Sequence, residues 1–254
     1  MNLLTSLRSE ILKTKRTAAL YLALTAGIFG MLICILDFLS DGIPADSSAT
    51  VFNLMMTDKF QVSAFLMFPL FIILSCTLLP QIEYKNNAWK QVLASPQPKW
   101  MIFVSKFLIV QLLILVFLFT DLLMMFLGAV LLHFIEPDLN VLNQPVDVKE
   151  IFKLRAIAYV ALLPISALQF WLGWRIKNFI TPIGIGIALW ITGTILVIEL
   201  KAGFALYFPY SYHVIANLTK TVPGTGNYFW YALAYAGLFL LAGFFDFRRN
   251  GIRG

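Results

Sequence analysis

The feature that constrains this chain most is a succession of long apolar runs, at 18–38, 60–80, 101–134, 157–174, 179–198 and 228–247. Each is close to or beyond the roughly 20 residues a helix needs to cross a bilayer core. Lipid offers no partner to backbone N–H and C=O groups, so runs of this kind must be helical. A closed barrel would need shorter segments of alternating polarity, and none is present. The rest of the composition agrees. Of 254 residues, 60% are hydrophobic and 13% charged, with a mean hydropathy of +0.83. A soluble domain keeps about a quarter of its residues charged. No polar block is large enough to fold separately, so 1–254 reads as one all-α transmembrane domain with six spans.

Lys and Arg in the flanks set the expected orientation. Arg8, Lys13, Lys15 and Arg16 precede the first run; Lys85, Lys90, Lys99 and Lys106 lie between or beside the second and third. Arg175 and Lys177 separate the fourth and fifth, and Arg248, Arg249 and Arg253 follow the sixth. The other loops hold most of the acids, among them Asp41, Asp46, Glu136, Asp138, Asp147, Glu150 and Glu199. This alternation predicts both termini in the cytoplasm. It also accounts for the net charge of +6 without nucleic acid. The N-terminus lacks the small-residue cleavage site of a secretory signal. Cys34 and Cys76 sit inside apolar runs and read as small buried hydrophobes.

Three stretches depart from plain spans. Residues 1–16 place Leu3, Leu4, Leu7, Ile11 and Leu12 at helical spacing beside basic residues, the pattern of a helix lying in the cytoplasmic interface. The third run is about 50 Å long as a helix, so it must tilt, kink or project. The segment 201–227 is aromatic yet broken by Pro209 and Pro223, which predicts short helices dipping into the outer leaflet.

The loop 81–99 is long for a connection between neighbouring helices, where roughly two to eight residues suffice. Ile82, Trp89, Val92 and Leu93 share one face of a short helix that Pro96 and Pro98 would end. Trp is a favoured anchor at protein interfaces, so this helix is a docking candidate. Trp89 and Trp100 equally suit headgroup anchoring, and residue types alone do not separate the two readings.

The order Glu83…Asn86-Asn87-Ala88-Trp89-Lys90…Leu93…Pro96…Lys106 resembles the loop between the second and third helices of ABC-2 type exporter permeases, nearest those of lantibiotic-immunity and related small-molecule or peptide exporters. Asn86-Asn87-Ala88 stands where many members have a Gly-Thr pair. The segment Ser9-Glu10-Ile11-Leu12-Lys13-Thr14-Lys15-Arg16 is similar to that family's interfacial helix, carrying Glu10, Lys13, Lys15 and Arg16.

The resemblance implies the type V, ABC-2 exporter fold. The 81–99 loop would be a coupling helix, with Glu83, Tyr84, Lys85, Asn86, Asn87, Trp89, Lys90 and Leu93 facing a separate ATPase. The 201–227 segment would be extracellular re-entrant helices before the last span. It further implies a dimer of identical or homologous permeases in a bacterial cytoplasmic membrane. That dimer would move a peptide, lipid-like or drug-like substrate outward, with no cofactor in this chain and ATP and Mg on the partner. The sequence has no G-x-x-x-x-G-K-[ST] phosphate loop, so it does not hydrolyse ATP in that manner itself.

Other polar residues are sparse. Asp121 is the acid deepest in an apolar run, and an intramembrane charge is by default a functional candidate. It reads either as a pathway residue or as a packing or kink residue paired with Thr120 or a neighbouring helix. Phe208, Pro209, Tyr210 and His213 are the gate candidates. His133 and His213 read as satisfied interfacial histidines rather than metal ligands. Pro69, Pro164 and Pro182 read as kinks or hinges, and Gly184, Gly186 and Gly193 give the fifth run a small-residue face for close helix contact. Two further readings compete with a transporter: a non-catalytic membrane sensor or assembly protein, and an intramembrane enzyme built from Asp121, His133 and His213.

Overall fold

A computed structural model describes residues 3–41, 50–85, 97–217 and 228–250. Asn86, Asn87, Trp89, Lys90, Leu93 and Pro96 of the expected coupling helix lie outside these, as do residues 218–227. Among the described residues, six helices are long and apolar enough to cross a bilayer. They are Ala18–Asp41, a second unit from Val51 to Lys85, Lys99–Ile135, Val148–Arg175, Ile180–Ile198 and Tyr228–Asn250, numbered here as spans 1 to 6. A separate helix, Leu3–Thr14, precedes span 1.

Spans 2, 3 and 4 form the centre, with half or more of the most apolar 18-residue stretch of each buried, whereas under a third of that stretch is buried in spans 1, 5 and 6. Span 1 lies along span 3, and span 6 along span 4. Lipid is as apolar as leucine, so burial of side chains against lipid drives little; close packing must hold the helices together. Rings interlock at the centre: Phe117 of span 3 stacks on Phe71 of span 2 at 4.5 Å and meets Phe68 edge-on at 4.6 Å. Glycines bring backbones together. A Cβ on Gly173 of span 4 would lie 2.3 Å from the Cys76 carbonyl of span 2, and one on Gly193 of span 5 would lie 2.5 Å from the Tyr210 carbonyl. Gly186 is likewise occupied by Gln169, so of the fifth span's three glycines only Gly184 opens outward.

Span 2 starts earlier than its apolar run and is irregular. Two π-helical turns, Met55–Lys59 and Ser63–Met67, interrupt it. The second lies just before Pro69, whose ring disturbs the preceding turn and whose missing N–H leaves a carbonyl unpaired. Wider i→i+5 bonding, such as Phe68 N–H to the Ser63 carbonyl, absorbs that disturbance. Span 3 needs no such relief. Its 37 residues hold no proline and make one continuous α-helix, about 56 Å long. Of the three alternatives of tilt, kink and projection, the uninterrupted helix leaves tilt and projection to take up the excess length.

At the end away from Leu3–Thr14, the start of span 2 is clipped to the loop after span 3. Gln144 accepts the Phe52 N–H at 3.0 Å, and the Asn53 amide joins the Pro145 carbonyl and the Asp147 N–H at 3.0 and 3.1 Å. Asp147 then caps span 4 by accepting from Glu150 N–H. Between spans 5 and 6 the chain makes the short helices Gly203–Tyr207, Pro209–Ser211 and Tyr212–Asn217. Tyr212, Val214 and Ile215 are buried among residues of spans 4, 5 and 6. Cys34 and Cys76 are both buried, in different core clusters.

Candidate coupling and pathway site

The N-terminal helix does not present a purely apolar face to the bundle. Leu7 and Ile11 pack on the core, but Ser6 and Thr14 are buried, while Leu4 and Leu12 are 77% and 58% exposed. Polar contacts dock it. Ser6 Oγ donates to Ser105 Oγ of span 3 at 3.0 Å. Glu10 accepts from Lys106 of span 3 at 2.8 Å and from Lys13 at 2.8 Å. Lys13 also reaches Glu83, in the last turn of span 2, at 3.2 Å, and Lys106 donates to the same Glu83 oxygen. Glu83 and Lys106 are buried. Two acids and two bases thus alternate, and each charge has opposite-sign neighbours.

Burial works against ionisation of Glu10, yet the Lys106 and Lys13 ammoniums outweigh it and hold the carboxyl below the usual carboxylate range. Burial likewise works against the charge on Lys13, and Glu10 and Glu83 outweigh it, holding that ammonium above its usual value. The cluster also touches span 4. Lys106 lies 5.3 Å from the Trp174 ring centre, the Tyr84 hydroxyl donates to the Trp174 carbonyl at 2.6 Å, and Gln81 donates to the Lys177 carbonyl at 2.8 Å. A cavity of about 30 Å³ lies beside Glu83 and Lys106, room for about one water. The last turn of span 2, immediately before 86–96, is thereby tied to three other elements. Glu83 points into this cluster, not outward; Lys85 closes the helix; Lys15 and Arg16 sit exposed in the turn that follows the N-terminal helix.

Deeper in the bundle, span 4 carries Arg155, Tyr159, Ser166 and Gln169 at helical spacing on one inward stripe. Arg155 faces Asp121 of span 3, Nη2 to Oδ2, at 3.7 Å; their side chains are 6% and 1% exposed. Arg155 Nη1 donates to the Met56 carbonyl in the first π turn and to the Ile151 carbonyl at 3.3 and 3.2 Å. Its guanidinium lies 4.4 Å from the Phe60 ring centre. The buried Ser63 hydroxyl is the other polar neighbour of the Asp121 carboxylate. Span 1 closes over this pair with glycine: a Cβ on Gly30 would lie 2.3 Å from Ser63 Oγ and 3.5 Å from Asp121 Oδ1.

Further along the stripe, the Tyr159 hydroxyl donates to Gln111 of span 3 at 3.0 Å and Gln111 donates to Ser166 at 3.2 Å. Gln169 donates to the Tyr210 hydroxyl at 2.8 Å. Tyr210 and His213 are buried, with Phe208 and Pro209 half-buried beside them. Trp190 of span 5 donates to His213 Nε2 at 2.9 Å, and Phe65 lies 6.2 Å from both rings. His133 packs beside Phe134, 12 residues beyond Asp121 on span 3, or about 18 Å of helix. Asp121, His133 and His213 therefore occupy three separate environments, which is not the convergence an intramembrane catalyst requires.

Arg155, like Gln111, Tyr159, Gln169 and Trp190, is not singled out by the sequence. The fourth apolar run begins at residue 157, so Arg155 falls among its polar flanks, whereas the helix begins at Val148 and carries it inside. A signal was available: Arg155 stands four residues before Tyr159, on the face that continues to Ser166 and Gln169.

Comparison with curated proteins returns no match. A family model described as ABC-2 family transporter protein matches residues 6–193. That match runs from the N-terminal helix through most of span 5 and takes in both the ionic cluster and the buried pair. The chain belongs to the ABC-2 transporter family and is a multi-pass membrane subunit of that transport machinery.

Proposed function

We propose that this chain is the permease of an ATP-driven exporter, with a separate ATPase docking on the loop 81–99 and a second identical or homologous permease completing the pathway. The observation that carries the reading is the Glu10–Lys106–Glu83–Lys13 cluster. It makes the last turn of span 2 a place where a push on the adjoining loop would reach the N-terminal helix, span 3 and span 4 together. The N-terminal helix lies in the cytoplasmic interface, its exposed Leu4 and Leu12 toward lipid. Both termini are cytoplasmic, an orientation that the alternation of basic and acidic loops supports, and the membrane is a bacterial inner membrane.

In this reading Phe208, Pro209, Tyr210 and His213 form a re-entrant outer gate, hung on Gln169 and Trp190. Asp121 acts with Arg155 to hold spans 3 and 4 in register rather than to contact substrate. The cargo is an amphipathic peptide, lipid-like or drug-like molecule, which suits an aromatic interior better than a small ion. The test is to replace Trp89 and Lys90 with Glu, then measure co-purification of the ATPase and export from cells or vesicles. Loss of both is expected; unchanged co-purification and export would overturn the coupling assignment.

A further inference from the structure

A groove of about 150 Å³ opens on the outside of the bundle where the N-terminal helix, span 1 and span 3 meet. Its walls are Ile11, Leu20, Ile109, Leu112 and Val116, and Lys15 stands at the end beside the N-terminal helix. From Ile109 to Val116 it follows span 3 for about 10 Å, away from the basic end and toward the middle of the bundle. Apolar cavities of roughly this volume stay dry and take up hydrocarbon groups. The charge on the N-terminal helix and on the turn that supplies Lys15 is also unbalanced. Glu10 and Glu83 are committed to Lys13 and Lys106, and among the described residues no acid pairs with Arg8, Lys15 or Arg16, all three exposed. Cation at the headgroup level and hydrocarbon wall running inward is the layout of one molecule already present in the surrounding solvent.

We propose that this groove is a binding site for an anionic phospholipid of the leaflet on the N-terminal side. The phosphate lies on Lys15 and Arg16, and an acyl chain lies against Leu112 and Val116. The bound lipid would wedge the N-terminal helix against spans 1 and 3, next to the ionic cluster, whose cavity shares Thr14 and Ile109 with the groove. The site is resident rather than translocated: it faces the bilayer, not the buried stripe of Tyr159, Ser166 and Gln169.

The experiment is native mass spectrometry of the full-length permease, delipidated and titrated separately with phosphatidylglycerol and phosphatidylcholine. The wild type should hold phosphatidylglycerol more tightly. K15Q/R16Q should weaken phosphatidylglycerol by about 30-fold, the contribution of two surface cations to a phosphate, and leave phosphatidylcholine unchanged. V116W, which fills the groove without touching charge, should weaken both lipids. K149Q, which removes a cation from the opposite end, should change neither. Equal affinity for the two lipids in the wild type, or unaltered phosphatidylglycerol binding in K15Q/R16Q or V116W, would overturn the site. Movement of the bound phosphatidylglycerol to the other leaflet by the assembled transporter would overturn its resident role.

Discussion

Breaking the Asp121–Arg155 pair should cost far more than an ordinary polar contact in a membrane protein. The two side chains are 1% and 6% exposed and 3.7 Å apart, with span 1 packed over them at Gly27 and Gly30. Neither charge can reach water without moving a helix. Removing one partner of such a pair leaves a buried charge and costs about 3–5 kcal/mol. The two halves are not equivalent. Without Asp121, Arg155 still has the Met56 and Ile151 carbonyls and the Phe60 ring. Without Arg155, Asp121 keeps only the neutral Ser63 hydroxyl and no opposite charge. Asp121→Asn should therefore destabilise by about 3 kcal/mol, and Arg155→Gln by about 4 kcal/mol. The double variant, which leaves no charge, should lose about 4 kcal/mol rather than the sum, a coupling energy of about 3 kcal/mol. The measurement is reversible unfolding of the purified permease in mixed micelles, followed by tryptophan fluorescence. Interhelical polar contacts in membranes average about 0.6 kcal/mol, so a coupling energy no larger than that would refute the reasoning.

Three further outcomes are expected. Gly173→Ala places a methyl 2.3 Å from the Cys76 backbone and should cost about 1–3 kcal/mol; Gly184→Ala, which meets nothing within 4 Å, should be neutral in the same unfolding assay. Tyr210→Phe strands the buried Gln169 amide and should cost about 1–2 kcal/mol, read as a lowered unfolding temperature. Docking of the N-terminal helix, followed by a spin label at Leu4→Cys, should not vary between pH 4.5 and 10.5, the ordinary values for Glu10 and Lys13. Because the Glu10 carboxyl is held below its ordinary value, its contribution is lost only as pH falls through that lowered value; because Lys13 is held above its own, that contribution is lost only as pH rises beyond it.

The spans were legible because lipid imposes one rule on every backbone group, and six apolar runs obey it. Their ends were less so: span 2 starts nine residues before its run, at Val51, and span 4 nine before its own, at Val148. Helices continue past the hydrocarbon wherever caps and clips hold them, as Asp147 and Asn53 do here. Glu83 and Lys106 stood out as members of a loop pattern, but nothing in their spacing said that they bind each other and Glu10. A contact between residues 96 positions apart belongs to packing, not to local periodicity. The same holds for Arg155, whose partner Asp121 was visible while the arginine was hidden by the extent of the run.

The length of span 3 has a mechanical consequence. Lys106 sits 15 residues before Asp121 and Ile135 sits 14 after it, arms of about 23 and 21 Å on either side of the point where Arg155 and the glycines of span 1 grip the helix. A rod held near its middle turns like a balanced beam. If span 3 pivoted there as a stiff rod, a displacement of about 1 Å at the Lys106 end would return as one of nearly equal size and opposite sense at Ile135.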